Sequence, residues 1–193
     1  MNRQPARVLE SADVCRLCDA ALQHRYPLRS QVIILLSFRA GLRACEIAGI
    51  TWPMALKSNG KIADILSISK HIAKYGGGRR VPVNPALKTA LSEYHRAIGR
   101  PLEGPIITSE RGGHMTAHSI VNWFAKIYSD AGYAGCSSHS GRRTFITQSA
   151  RLLTKAGGSL RDVQELAGHR SLKTTEGYIE GDRDAQRKLV RLL

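Results

Sequence analysis

Apolar positions recur three and four residues apart over most of this chain, the mark of helices that bury one face. Ser11 stands as the N-cap of a first helix running to about Leu22. The stretch 27–40, "PLRSQVIILLSFRA", is apolar on nearly every side, which predicts a buried helix stopped by Gly41. "LRACEIAGI" restarts a short helix, and Pro53 of "TWPM" ends it. The pattern then changes. "IADILSIS" and "RRVPV" are short and partly β-branched, and they flank the glycine run 76–78, as the strands of a hairpin with a loose basic tip would. Asn84 and Pro85 form an N-cap and first-turn pair that opens a helix to about Ile98. "PIITSERGGH" predicts a short strand and loop. Thr116 then opens a helix whose Ile120, Trp123, Phe124 and Ile127 form one apolar stripe. Further helices are expected from Ser138, Ser159 and Ser171, and a basic tail at 182–193 ends in Leu189, Val190, Leu192 and Leu193. The expected class is α+β, mostly α-helical, with one small antiparallel β-sheet.

Composition narrows the partner. The 193 residues suffice for one sizeable core. Lys and Arg number 29 against 15 Asp and Glu, a net charge of +14. Such a field points to a polyanion, and nucleic acid is the expected one. A membrane is the weaker reading, because no basic amphipathic helix with an aromatic-rich apolar face is visible. "MNRQPARVLES" lacks the apolar segment of a signal peptide, and "VIILL" at 32–36 is too short to span a bilayer. Cys15 and Cys18 have the C-x-x-C spacing, but no second pair or suitably spaced histidines accompany them. All four cysteines are read as reduced structural thiols, no metal site or cofactor is expected, and the expected location is cytoplasmic.

Several basic and nucleophilic groups stand where a fold could gather them: Arg43 and His139 with Arg142 at helix starts, Lys74 at the hairpin tip, His169 before the Ser171 helix, and Tyr178 nine residues further on. Each alone has a plain explanation as a surface charge, a capping residue or a core aromatic. Together, their order and spacing resemble the tyrosine recombinase (phage integrase) family, over nearly the whole chain from about residue 8. "AGLRACEIAGITW" resembles the family's first-arginine motif, with Arg43 as that arginine and Glu46 as the acidic residue after it. "AKYGGGRRVPV" resembles the hairpin of the active-site lysine; Lys74 fits, eight residues before Pro82, and Lys70 is its rival. "HSGRR" is similar to the His-x-x-Arg motif, and "LAGHRSLKTTEGY" to the closing motif with His169 and the nucleophile Tyr178. The sequence departs from the family at Ala167, usually leucine, and at Tyr75, usually glycine.

The resemblance implies the tyrosine recombinase catalytic-domain fold over residues 1–181, a tail helix at 182–193 whose apolar end docks on a neighbouring protomer or packs on its own core, and no N-terminal core-binding domain. It implies a site-specific recombinase acting on double-stranded DNA at specific sites, as a dimer to tetramer. No acidic cluster that would hold Mg²⁺ is visible in the sequence, and guanidinium groups can take a metal's place, because they stay charged and pair with phosphate through two parallel bonds. Arg43 and Arg142 are thus expected to clamp the scissile phosphate, His139 to take the phenolic proton, Lys74 to protonate the leaving oxygen, His169 to bond the phosphate, and Glu46 to orient the basic groups around it. Arg79, Arg80, Arg111, Arg143, Lys155 and Arg170 are expected to meet backbone phosphates, which hold DNA without reading its sequence. The alternative is a non-catalytic DNA-binding regulator derived from such a domain.

Overall fold

The computed structural model describes residues 6–73, 76–178, 190 and 191. The N-terminal half holds α1 (Ser11–Ala21), α2 (Pro27–Ala40), α3 (Ala44–Gly49), a 3-10 turn at Trp52–Met54, β1 (Ile65–Ile68) and β2 (Arg79–Pro82). The remainder is helical: α4 (Pro85–Ala97), α5 (Ala117–Asp130), α6 (Ser140–Ala156), α7 (Leu160–Ala167) and α8 (Leu172–Glu176).

The centre is α2, and its sequence explains why. Val32, Ile33, Ile34, Leu36 and Phe38 are all buried, along with Ser30 and Ser37, so nearly every face of the helix is covered. α1, α4 and α6 pack around it, α5 packs on α3, and α7 joins α6 to α8 and to β2. α1 buries Val14, Leu17 and Ala21, one stripe at helical spacing. The stripe on α5 buries Ile120, Phe124 and Ile127, adds Tyr128, and leaves Trp123 half-buried. A smaller cluster of Ile146, Val163 and Ala167 lies under α6 and α7, with Phe145 and Tyr178 against it.

The two strands pair antiparallel, with Ile65 opposite Pro82, Leu66 opposite Val81, Ser67 opposite Arg80 and Ile68 opposite Arg79. Directly opposed residues share a face. Leu66, Ile68 and Val81 are buried, so Arg79 points inward with them, while Ser67 and Arg80 face solvent.

Most element boundaries fall where expected. Asn84 caps α4 by accepting from the Ala86 N–H at 3.0 Å, and Thr116 caps α5 by accepting from the Ser119 N–H at 3.0 Å. Four expectations need correction. Glu10, not Ser11, is the N-cap of α1, with the Asp13 carboxylate accepting from its N–H. α3 ends at Gly49, where Ile50 turns extended, so Pro53 does not end it but sits in the separate 3-10 turn. "PIITSERGGH" forms no strand; its pairing is limited to isolated bridges from Pro105 to Thr51 and from Thr108 to His114. α6 begins at Ser140 with His139 at its cap, two residues later than expected from Ser138. The expected tail helix at 182–193 lies outside the described residues apart from Val190 and Arg191. The four cysteines are free thiols. Among the described residues, no helix is long and apolar enough to cross a membrane.

Candidate active site

The site forms where α2 ends. Gly41 caps α2 in the left-handed conformation at φ 64°, and an added Cβ there would lie 2.4 Å from Cδ1 of Phe145 on α6. Only glycine accepts both conditions. The chain turns sharply at this point, and Arg43 follows as the N-cap of α3. Its backbone N–H donates to Oε2 of Glu46 at 2.8 Å, and its guanidinium donates to Oε1 at 3.1 Å.

Glu46 has no exposed surface. It is held by a second arginine, which enters from β2. Arg79 donates to both carboxylate oxygens, at 2.6 and 2.9 Å, and its Nε donates to the carbonyl of Leu166 at 2.9 Å. Burial pushes the Glu46 carboxyl up, but the hydrogen bonds and charge of Arg79 and Arg43 outweigh it and hold the group below the usual carboxylate range. Arg79 was expected to reach DNA phosphates from the surface. Instead its side chain is 5 % exposed and committed to Glu46 and α7. The sequence held a signal for this, since Arg79 alternates in phase with Val81 whereas Arg80 does not.

Arg142 sits in the first turn of α6 and is 2 % exposed. Its guanidinium donates to the carbonyls of Gly41 at 2.7 Å and Ala167 at 2.5 Å. Both acceptors are neutral, so the positive charge is fixed in place but not cancelled. Burial, then the charges of Arg43 and Arg79, pull its acidity upward. The Ala167 departure from the family pattern leaves this bond intact, because the acceptor is backbone.

Gly168 ends α7 in the left-handed conformation at φ 63°, and the turn presents His169. Gln164 brackets that residue: its carbonyl accepts the His169 N–H, and its side-chain amide donates to the His169 carbonyl, both at 3.0 Å. The imidazole Nδ1 lies 3.0 Å from the Thr175 hydroxyl. Burial, followed by the charges of Arg142, Arg43 and Arg79, lowers the His169 pKa from 6.5 to about 4. At neutral pH the ring is uncharged.

Tyr178 follows α8. Its ring stacks on His169, with centroids 5.2 Å apart and planes 26° from parallel, and the Arg143 guanidinium carbon lies 5.8 Å from its ring centre. Its carbonyl accepts from the Thr147 hydroxyl at 3.1 Å, tying the segment to α6. Arg43, Arg142, His169 and Tyr178, with Glu46, therefore gather from distant parts of the chain. His139 stands exposed at the α6 N-cap, one turn before Arg142. Lys74 lies outside the described residues. Lys70, its rival, is exposed on the turn after β1. Of the other basic residues, Arg143 belongs to the cluster and Arg170 is exposed beside His169, while Arg80 and Arg111 are exposed elsewhere. Lys155 is in the last turn of α6, about 20 Å along the axis from Arg142. Sequence reasoning missed Gln164, Thr147 and Thr175, whose roles depend on tertiary contacts no local pattern encodes.

Residues 7–184 match the family model for the phage integrase family. Tyrosine recombinase XerC of Mesorhizobium japonicum is 31% identical over 157 residues, covering 78% of this chain and 46% of that protein. XerC of Pelobacter propionicus is 28% identical over 158 residues, covering 81% and 49%. The chain thus spans about half the length of these curated relatives. The integrase of the Tn1549 transposon, solved in complex with transposon right end DNA, shares the fold at a TM-score of 0.75 and 17% identity, covering 100% of this chain and 67% of that one. On the match over residues 7–184, the chain belongs to the phage integrase family.

Proposed function

We propose that this chain is the catalytic part of a site-specific DNA recombinase that cuts and rejoins strands through a 3′-phosphotyrosyl intermediate. The observation that carries this reading is the convergence of two guanidiniums, a neutral imidazole and a phenol from separate segments. Arg43 and Arg142 would bind the non-bridging oxygens of one phosphate and stabilise the charge that builds there in the transition state. The N-terminus of α6, the positive end of its dipole, favours the same anion. If the Thr175 hydroxyl donates to Nδ1 of His169, the imidazole proton sits on Nε2, ready to donate to the phosphate.

The phenolic oxygen of Tyr178 attacks phosphorus, and the bond from phosphorus to the 5′ oxygen breaks. His139 takes the phenolic proton, and Lys74 supplies one to the leaving 5′ oxygen. One ester replaces another, so no ATP is consumed. Rejoining runs the steps in reverse, with a second strand's 5′-hydroxyl as nucleophile. Arginine in the place of a metal also makes the step independent of divalent cations. The remaining exposed cations, Arg80, Arg111, Lys155 and Arg170, would hold the duplex backbone as two to four copies assemble on it, with the tail 182–193 docking on a neighbour.

The test is a nicked duplex carrying any inverted or direct repeats found in the DNA flanking the gene, incubated with the protein in excess EDTA and resolved in SDS. Wild type should leave a covalent adduct. Tyr178→Phe should bind equally and leave none. Binding without any adduct from wild type would favour the non-catalytic regulator instead.

A further inference from the structure

The β-hairpin has two ends, and only one serves the site above. Ile68 and Arg79 lie at the end that meets Glu46. The other end, at Ile65 and Pro82, leads to Asp64 and into α4, where a separate cleft opens with a volume of about 660 Å³. One wall is the turn from Lys57 to Lys61, closed by the bridge between Leu56 and Ile62 and by the Lys57 N–H donating to the Lys61 carbonyl at 2.8 Å. The other wall is one side of α4, from Lys88 in its first turn to Arg96 in its last, and the segment after it that bears Arg100. Five cationic side chains therefore line one concave surface. Asp64 bridges Lys57 and Lys88 and so fixes two of them rather than neutralising the cleft.

Two details set this apart from an ordinary solvated face. The C-terminus of α4 accounts for a cation at Arg96, since the dipole favours positive charge there. It does not account for the lysines across the gap. Arg100 is held at φ 56°, the one non-glycine residue with positive φ among the described residues, with its N–H donating to the His95 carbonyl at 2.8 Å. A glycine would sit there without strain. The chain instead keeps an arginine at the rim of the cleft.

We propose that this cleft binds the phosphodiester backbone of a DNA segment other than the one at Arg43 and Arg142. The cations are spread along the cleft and partly exposed, with Lys57 and Lys88 at 45% and 40%. That arrangement suits a repeating anion such as DNA, which carries one charge per ~1.7 Å of duplex axis, better than one sequestered ion. The inference rests on the proposed function: a recombinase must bring two duplexes together, and a second basic cleft lets one copy touch both.

The experiment uses the full chain bound to an immobilised 20-base-pair duplex of arbitrary sequence, challenged with a second, dye-labelled duplex. Wild type should capture the second duplex. The triple variant Lys61→Gln, Arg96→Gln, Arg100→Gln should still bind the first and capture at least about fivefold less of the second, with a shallower dependence on salt. Equal capture by the variant overturns the proposal. Inorganic phosphate is the control for a small-anion site: if it shifts the amide resonances of residues 57–61 and 96–100 and the duplex does not, the proposal also fails. The SDS-stable adduct formed by the same variant reports on the active site separately.

Discussion

The imidazole of His169 lies stacked on the phenol of Tyr178, 5.2 Å between ring centres, with its Nδ1 at 3.0 Å from Thr175. Burial and three arginine charges keep that imidazole neutral, with a pKa of about 4 against an ordinary 6.5. The unfolded chain binds the proton more readily than the folded one between those values. Stability is therefore complete above about pH 6.5 and falls as pH drops toward 4. Nitrogen-detected NMR of the histidine rings checks this directly. A His169 that titrates near 6.5 in the free protein would contradict it.

Glu46 and Arg79 form a buried pair through both carboxylate oxygens. Glu46→Gln should cost about 3–5 kcal/mol, because it leaves the buried Arg79 charge unpaired, and Arg79→Met should cost less, because Glu46 keeps its bonds from Arg43. The double variant should be less damaged than the sum of the two. Urea unfolding of all four proteins gives the coupling, and simple additivity would mean the pair is not the unit described here.

Gly41→Ala meets two obstacles, a left-handed backbone and the ring of Phe145. Expected destabilisation is about 2–4 kcal/mol. Calorimetry should show the melting temperature lowered by roughly 10 °C.

Arg43→Lys keeps the charge but loses the planar pair of donors. Because the guanidinium also binds Glu46, the lysine cannot hold its partner and meet a phosphate with the same geometry. Adduct formation should fall by about a hundredfold or more while duplex affinity changes little. Retention of wild-type cleavage rates would remove Arg43 from the proposed chemistry.

Local rules made much of the fold legible. Asn84 and Thr116 start helices because their side chains satisfy free N–H groups, and Gly41 stops one because it accepts positive φ. The first boundary slipped by one residue because Glu10 competes with Ser11 for the cap and wins through Asp13. Stretch 105–114 has β-like composition, yet a strand needs a neighbour, and the partners there supply only single bridges. Of the motif residues singled out by spacing, Arg43, Glu46, Arg142, His169 and Tyr178 lie together in the fold. Arg79 was not distinguished from Arg80, because the register with Ile68 and Ser67, not residue type, decides which one turns inward. Gln164 and Thr175 were invisible for a similar reason, since each matters only once His169 has been folded against it.

One guanidinium, that of Arg79, grips α3 through Glu46 and α7 through the Leu166 carbonyl. Its own strand begins five residues after Lys74. It acts as a keystone: the loop expected to carry the acid, the helix behind the first arginine and the turn that presents the imidazole are not three independently mounted parts. Damage to any of them is shared by the others, so defects engineered on one side of the reaction centre should surface on the opposite side without any direct contact there.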